Sequence, residues 1–300
     1  MRARTARLKT TARKSTRAQN IPPSSPRKSC SDAPLISIVT AVHNGSDKIE
    51  KTMASVSGQD YERVQYIVID AGSTDGTLDV IRAHEKEIGY WISEPDRGIS
   101  NAFNKGIARA RGDLIGILNA GDWYEPNALS TIAEVYQSHP DVDVFCGSIR
   151  FWDHNSPVLH CYSNPELLER QTSVYHPTVF IKRAAYEKYG VYDQSYRYAM
   201  DYELLLRFKR RGAKFFTLEQ VLANMTLDGI SSENWYSGLQ EVWKARSMYF
   251  PRYNVLYYHT LAVLKNLIAR ALKKGGLQSV YQAYWRARNR RVASGPEREG

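Results

Sequence analysis

The chain has 300 residues, 43% hydrophobic and 24% charged, a composition that excludes a disordered polymer and allows one large or two modest domains. Its 41 Lys and Arg against 31 Asp and Glu give a net charge of +10, which suggests a polyanionic partner. Residues 1–33 carry +8 and residues 265–300 carry +7, which leaves −5 for residues 34–264. The body of the chain is therefore acidic, and both ends are basic.

Three cysteines, Cys30, Cys146 and Cys161, lack CxxC spacing and a nearby His pair, so they predict neither a disulfide framework nor a zinc site. This favours a reducing, cytoplasmic environment. We interpret residues 1–33 as a basic disordered tail, because no apolar run of signal-peptide length occurs there; an organellar transit peptide is the alternative. The uncharged run at 253–264 is shorter than the about 20 residues that span a bilayer.

Strands and helices alternate in the first part of the chain. The patterns predict strands at 35–42, 64–70, 90–93 and 114–118, and helices at 77–88 and 99–111. Ser46 is expected to cap another helix, and Pro126 to lie in the first turn of a further one. This order predicts an α/β fold with a mostly parallel sheet.

The later part is less regular. Strands are predicted near 142–151 and 178–181, a helix at 201–211, and further helices beyond residue 234. We divide the chain into the tail 1–33, a domain 34–233 with halves 34–125 and 126–233, and a helical basic and aromatic extension 234–300.

Polar residues follow all four strands of the first part. They are His43-Asn44-Gly45, the run from Asp70 to Gly76, the run from Glu94 to Gly98, and Asn119-Ala120-Gly121-Asp122. Each run alone is compatible with an ordinary turn. Since ligands of open α/β sheets bind beyond the carboxyl ends of the strands, the four together indicate a binding site.

Common nucleotide and hydrolase motifs are absent from this sequence: it has no GxGxxG after the first strand, no Walker A loop and no GxSxG elbow. The acids instead suit a divalent cation with a nucleotide diphosphate, because Mg²⁺ and Mn²⁺ bind carboxylates together with substrate phosphates. Asp122 can supply such a carboxylate, Asp70 can accept a hydrogen bond from a base or ribose, and Arg97 and Lys105 can meet phosphate charge. Arg109 is expected on a solvated helix face.

Four motifs, ISIVTAVHNG, YIVIDAGSTDGT, EPDRGISNAFNKGIARARGD and IGILNAGDWYEP, occur in this order and resemble the nucleotide-sugar domain of family 2 glycosyltransferases, of the WcaA-like bacterial polysaccharide type. The later run YHPTVFIKRAAYEKYGVYDQSYRYAMDYELLLRFKRRG resembles the acceptor-side segment of that family. The resemblance covers residues 34 to about 215. It implies the GT-A fold, a Rossmann-like nucleotide-diphospho-sugar transferase fold, here with a C-terminal helical extension.

The resemblance also implies a donor site. Residues implied in binding the nucleotide sugar are Thr40, Val42, Asn44, Asp70, Ser73, Asp96, Arg97, Asn119 and His176. For His176, a buried structural role is the open alternative. The family's acidic metal cluster is reduced here to Asn119-Ala120-Gly121-Asp122, so Asp122 would be the single side-chain ligand of Mg²⁺ or Mn²⁺ in this motif.

Asp201 stands at the position of the family's general base, which the chemistry needs because the acceptor hydroxyl must lose a proton in an inverting displacement. A helix cap is its alternative role, and Glu203 is expected to be a surface charge. The family's processive members carry a QxxRW signature, which Gln240–Lys244 lacks. We therefore expect a single, metal-assisted sugar transfer from a nucleotide diphosphate sugar to a saccharide or lipid-linked saccharide.

Two other functions stay open at this point. One is a nucleotidyltransferase, and the other is binding of nucleic acid or an anionic surface through the basic ends. The acidic body counts against specific nucleic-acid binding. An apolar stripe, formed by Tyr257, Leu261, Leu264, Ile268 and Leu272, either packs on the domain or, with the aromatic and basic run 280–291, contacts an anionic membrane. The expected location is the cytoplasm, with peripheral contact at the inner face of the plasma membrane.

Overall fold

The computed structural model describes residues 33–153, 155–226, 234–275 and 280. Among them, nine strands form one sheet in the order β3-β2-β1-β4-β8-β6-β9-β5, with β7 paired to β6. The strands are β1 Ile36–Val42, β2 Val64–Asp70, β3 Tyr90–Ser93, β4 Leu114–Ile117, β5 Trp123–Tyr124, β6 Val144–Asp153, β7 Ser156–Cys161, β8 Val179–Lys182 and β9 Phe215–Thr226. The basic tail 1–32 and the run 281–291 lie outside the described residues.

The helices follow the predicted alternation. They are α1 Ile49–Ser57, α2 Thr77–Ala83, α3 Ile99–Arg109, α4 Ala128–Ser138, α5 Arg183–Tyr189, α6 Met200–Arg210, α7 Trp235–Ser247 and α8 Arg252–Lys274. Residues Glu85–Glu87, predicted to continue α2, form a separate 3₁₀ turn. The prediction for Pro126 is wrong, because α4 begins at Ala128 and the proline precedes its N-cap Asn127.

The sheet is parallel from β3 through β2 and β1 to β4. Beyond β4 it becomes mixed, since β8 runs antiparallel to both β4 and β6, whereas β9 runs parallel to β6. The parallel half explains the continuous apolar runs of its strands, which are covered on both faces. The mixed α/β architecture predicted from the sequence is confirmed.

Two hydrophobic clusters cover the two faces of the sheet. Along β1, Val39 and Ala41 belong to one cluster and Ile38 and Val42 to the other, as the alternation of a strand requires. The first cluster includes apolar residues of α3, α5 and α6, and the second those of α1 and α4. Helix α3 packs closely on β1, because a Cβ at Gly106 would lie 2.2 Å from Val39 Cγ1.

The C-terminal helices form a pair that packs on α6 through α7. Within the described residues, no helix has the length and apolar character needed to cross a membrane. The predicted stripe on α8 is divided: Leu261 is partly buried, but Tyr257, Leu264 and Ile268 are exposed. Packing on the domain therefore does not account for this stripe.

Candidate functional site

The carboxyl ends of β3, β2, β1 and β4 meet at one edge of the sheet, and their loops are joined there by hydrogen bonds. After β1, Asn44 has a left-handed backbone with φ of 48°, a conformation that asparagine tolerates. Its N–H donates to Ser73 Oγ over 2.8 Å, and its Oδ1 accepts from the Thr74 N–H over 2.9 Å. The predicted pocket residues Asn44 and Ser73 are thus in direct contact.

Asp70 is fully buried at the end of β2 and organises its own loop. Its Oδ2 accepts from the N–H groups of Gly72 and Ser73 over 3.1 and 3.0 Å and from Ser93 Oγ over 2.6 Å. Its Oδ1 accepts from Ser73 Oγ over 2.5 Å. Three of these bonds reach Oδ2 and one reaches Oδ1, so the carboxylate is nearly saturated with donors from its own surroundings and shapes the loop. A direct contact with the nucleotide stays a prediction.

A second aspartate, Asp75, ties the β1 and β2 loops together. It accepts hydrogen bonds from the N–H groups of Ser46 and Thr77, both over 3.1 Å, and the Thr77 hydroxyl holds the pKa of this carboxyl well below its usual range. The capping role predicted for Ser46 is wrong, because the N-cap of α1 is Lys48 and the Lys48 side chain makes no cap bond.

Two residues predicted for the base pocket lie beneath its surface. Thr40 is completely buried in β1, where its Oγ1 accepts from the Tyr66 hydroxyl over 3.1 Å. Val42 is 5% exposed and belongs to the hydrophobic core. Both therefore support the strand end from within, and any contact with a base stays a prediction.

The loop after β3 leads into α3. Asp96 Oδ1 accepts from the Gly98 N–H over 2.8 Å, and Arg97 is exposed beside it. Lys105 Nζ lies 2.8 Å from Glu94 Oε1 and forms an ion pair with it, and its contact with phosphate stays a prediction. Arg109 is exposed as expected, with its guanidinium 4.8 Å from the Tyr90 ring.

Asp122 lies in the turn after β4 and is only 5% exposed. Within the described part of the chain, no group donates a hydrogen bond to its carboxylate, and burial raises the pKa of Asp122 to about 8. The turn itself is held by Thr52, whose hydroxyl donates to the Asp122 carbonyl over 2.7 Å and accepts from the Gly121 N–H over 2.9 Å. The backbone of the turn is therefore fixed, whereas the Asp122 carboxylate has no hydrogen-bond partner among the described residues.

The same turn has the right atoms for a hard cation. Asn119 Oδ1 is buried and has no hydrogen-bond partner among the described residues. Carboxylate and amide oxygens are preferred ligands of Mg²⁺ and Mn²⁺. No cluster of three or more His, Cys, Asp or Glu suitable for a metal occurs in the described ranges. Asp122 and Asn119 thus fit a cation that takes its remaining ligands from water and substrate phosphates.

Asp201 opens α6 and lines a cavity of about 10 Å³, space for about one water molecule. The cavity also contacts His176 and Ile117, the last residue of β4. Burial raises the pKa of Asp201 to about 6, and one of its oxygens accepts from the Tyr202 N–H over 2.8 Å. About half of the molecules therefore have a neutral Asp201 carboxyl near pH 6, and most have an ionised one at higher pH.

His176 stacks on Phe103 with ring centroids 5.3 Å apart. Burial lowers its pKa to about 4, and its Nε2 is buried without a partner among the described residues. The imidazole is thus neutral at pH 7 and lines the same cavity as Asp201, a position compatible with both roles considered for it.

Glu241 on α7 is a site residue that the sequence reasoning missed. Its Oε1 accepts from the Arg197 N–H, and its Oε2 accepts from the N–H groups of Tyr198 and Ala199, all over 2.8 Å. These three groups precede α6, so Glu241 caps the helix that carries Asp201, and its negative charge adds to the raised pKa of Asp201. Since the two residues are far apart in sequence, no local pattern signals this contact.

Glu203, expected on the surface, is instead 3% exposed. Its carboxylate lies 2.8 Å from Arg207 Nε, and the Arg207 guanidinium also donates to the carbonyls of Tyr189 and Val191. The prediction is wrong because the charge is neutralised inside the domain by a residue one helical turn away.

Comparison with known proteins identifies the family. The family described as Glycosyl transferase family 2 matches residues 37–201, more than half of the chain. An uncharacterized glycosyltransferase of Mycobacterium tuberculosis is 31% identical over 182 residues, which cover 58% of this chain and 69% of the relative. A putative teichuronic acid biosynthesis glycosyltransferase, TuaG of Bacillus subtilis, is 28% identical over 213 residues, covering 67% and 83% of the two chains.

Solved structures show the same fold. The mannosyltransferase PcManGT from Pyrobaculum calidifontis, in complex with GDP-Man and Mn²⁺, aligns with a TM-score of 0.59 and 17% identity over 85% of this chain and 84% of its own. S. aureus TarS 1-349, in complex with UDP-GlcNAc, aligns with a TM-score of 0.56 and 14% identity over 70% and 66%. The expected GT-A fold is confirmed, and this chain belongs to glycosyl transferase family 2 and is a glycosyltransferase.

Proposed function

We propose that this enzyme transfers one sugar, with inversion, from a nucleotide diphosphate sugar to a saccharide or lipid-linked saccharide. One observation carries the proposal: Asp201 lines the same small cavity as Ile117, the last residue of β4, and that strand leads directly to Asp122. A carboxylate that can take a proton and a carboxylate that can hold a cation therefore belong to the same edge of the sheet. Structural neighbours crystallised with UDP-GlcNAc and GDP-Man support a nucleotide-sugar donor.

In the proposed step, the acceptor hydroxyl oxygen forms a bond to the anomeric carbon while the bond from that carbon to the diphosphate oxygen breaks. Asp201 takes the hydroxyl proton, and the nucleoside diphosphate leaves with the electron pair of the broken bond. Attack from the face opposite the leaving group inverts the anomeric centre. The pKa of about 6 suits Asp201 to this role, because the carboxylate is ionised at neutral pH yet more basic than a solvated one.

Asp122 and Asn119 are the residues that would hold Mg²⁺ or Mn²⁺. When bound there, the cation would neutralise negative charge on the leaving diphosphate. The exposed Arg97 and the loop from Asp70 to Gly76 would contact the nucleotide and its phosphates. The Mn²⁺ in the PcManGT complex supports a divalent cation.

The acceptor class is proposed from the relatives. TuaG is described as a putative teichuronic acid biosynthesis enzyme, and a relative in Mycobacterium bovis, 25% identical over 179 residues, as a PGL/p-HBAD biosynthesis glycosyltransferase. The name of TuaG supports an acceptor in polysaccharide biosynthesis. We therefore propose that this enzyme takes part in the synthesis of a bacterial polysaccharide or lipid-linked saccharide.

Asp201→Asn tests the proposal. Turnover should fall by on the order of 10²–10⁴-fold, because the amide cannot take the proton, while the dissociation constant of the donor stays within about threefold. Steady-state assays and calorimetric titration of the donor measure the two quantities. Asp79→Asn, in the exposed first turn of α2, is a matched control that should keep full activity. Unchanged turnover in Asp201→Asn would rule out this residue as the base.

A further inference from the structure

Helix α8 presents an apolar stripe to solvent. On the opposite side of the helix, Val255 and Ala269 are buried. The exposed fractions of the large residues on the stripe are 77% for Tyr253, 54% for Leu256, 60% for Tyr257, 50% for Leu264, 49% for Leu267 and 51% for Ile268. At 3.6 residues per turn they occupy roughly one third of the helix circumference. This apolar face, interrupted by the exposed Thr260, indicates a surface made for contact.

The charged residues of this helix all have one sign. Arg252–Lys274 includes five Lys and Arg and no Asp or Glu. On α8, Arg252 and Arg270 are exposed and lie on the same flank of the stripe, and Lys265 lies on the opposite flank. An apolar face between two basic flanks is the pattern of a helix that lies in the plane of a lipid interface.

We propose that α8 docks on an anionic membrane surface. The apolar side chains would enter the boundary between headgroups and acyl chains, and the flanking Arg and Lys would contact lipid phosphates. Tyr253 and Tyr257 suit this depth, since each has an apolar ring and a polar hydroxyl. A second copy of the chain is a poorer occupant, because it would bring two basic segments together.

The docking surface connects with the candidate site. Helix α8 packs on α7, where Trp243 and His259 contact each other with ring centroids 4.9 Å apart. Glu241, on the same α7, caps the helix that carries Asp201. Docking would therefore hold the acceptor side of the site close to the lipid surface, which suits a lipid-linked acceptor. This connection to the acceptor rests on the proposed function, whereas the docking itself does not.

Flotation of the full chain with lipid vesicles tests the proposal in the absence of any substrate. We expect binding to vesicles of phosphatidylcholine with phosphatidylglycerol, weak binding to pure phosphatidylcholine, and loss of binding in about 0.5 M NaCl. The double substitution Leu264→Glu with Ile268→Glu should weaken binding about tenfold or more, because it removes apolar contact and adds negative charge. Val191→Glu, at an exposed valine remote from α8 in sequence, is the matched control and should bind as the parent does.

Two results would overturn the proposal. Anionic vesicle binding that is unchanged by the double substitution would assign it to other basic parts of the chain. A parent protein that is dimeric in sedimentation, does not bind the vesicles, and becomes monomeric on the double substitution would assign the stripe to a second copy. Circular dichroism of both variants checks that the fold is kept, and neither result depends on sugar transfer.

Discussion

Three aspartates of the candidate site differ in the hydrogen bonds that reach them. Asp70 accepts four, Asp201 accepts one from the Tyr202 N–H, and Asp122 accepts none within the described part of the chain. A carboxylate whose acceptor positions are nearly all used has a structural role, whereas one with open positions can meet a proton or a cation. The expectation that ligands bind beyond the carboxyl ends of the strands identified Asp70 and Asp122 from the sequence. Their positions in the sequence alone do not show that the two residues differ in role.

The pH dependence of turnover follows from Asp201. Because the base must be ionised and its pKa is about 6, kcat/KM should be constant above pH 7 and fall by about tenfold per pH unit below that pKa. Assays from pH 5 to about 8, at saturating metal, measure this profile. A profile that is flat through pH 5 would contradict the assignment of Asp201 as the titrating base.

At the scale of elements, α7 positions the end of α6 that carries Asp201, the proposed base. In Glu241→Gln, one amide oxygen can still accept hydrogen bonds, but the NH₂ group that replaces the other oxygen cannot, and the negative charge that adds to the effect of burial on the pKa of Asp201 is gone. We expect kcat to fall by about tenfold and the acidic limb of the pH profile to move to lower pH. A purely structural role would lower stability and leave the limb in place.

Gln240→Ala supplies the control for Glu241, since Gln240 is exposed on the same helix. It should change neither kcat nor the pH profile. Glu241→Ala should reduce kcat more than Glu241→Gln, because three backbone N–H groups then lose their acceptor. Equal effects of the two substitutions would argue against the capping role.

Helices α5 and α6 each contain an Arg–Glu ion pair between residues four apart, and the two pairs differ in burial. Glu203 and Arg207 on α6 are nearly buried, with side chains 3% and 12% exposed, whereas Arg183 and Glu187 on α5 are 48% and 63% exposed. Glu203→Ala should lower the free energy of unfolding by about 3–5 kcal/mol, because Arg207 is left buried without its partner. Glu187→Ala should lower it by about 0.5 kcal/mol or less. Urea unfolding measures both, and equal losses would contradict the argument from burial.

At this scale the sequence predicted the first half of the sheet completely and the second half in part, since the predicted strands near 142–151 and 178–181 correspond to β6 and β8. The predicted ranges 64–70 and 90–93 coincide with β2 and β3. For β2 the reason is its burial, since a buried strand appears in the sequence as a continuous apolar run, whereas β3 is a partly buried edge strand. The twelve-residue β9 was missed, as were β5, β7 and α5. Strand β9 contains exposed Glu219 and Gln220 and pairs in parallel with β6 through two register shifts, a contact that only the folded chain defines.

For the molecule as a whole, the net charge of +10 belongs to its two ends, and the described body holds the carboxylates of the candidate site. Charge at the ends and chemistry in the body are therefore separate properties. In our proposals, the basic ends concern where the enzyme is held, and the carboxylates of the body concern what it binds. The family assignment agrees with this division, since the matched residues 37–201 fall entirely within the acidic body.

Thermal denaturation of the whole protein tests how its body binds a donor. A donor at about 100 times its dissociation constant stabilises the native state by about 2.7 kcal/mol, so the correct nucleotide sugar with Mn²⁺ should raise the Tm by several degrees. In Asp122→Asn, the Mn²⁺-dependent part of this rise should disappear. The ligand-free variant should melt no lower than the parent at pH 7, because a carboxyl with a pKa of about 8 is already largely neutral there. An undiminished Mn²⁺-dependent rise in Asp122→Asn, alongside the same rise in Asp79→Asn, would place the cation elsewhere.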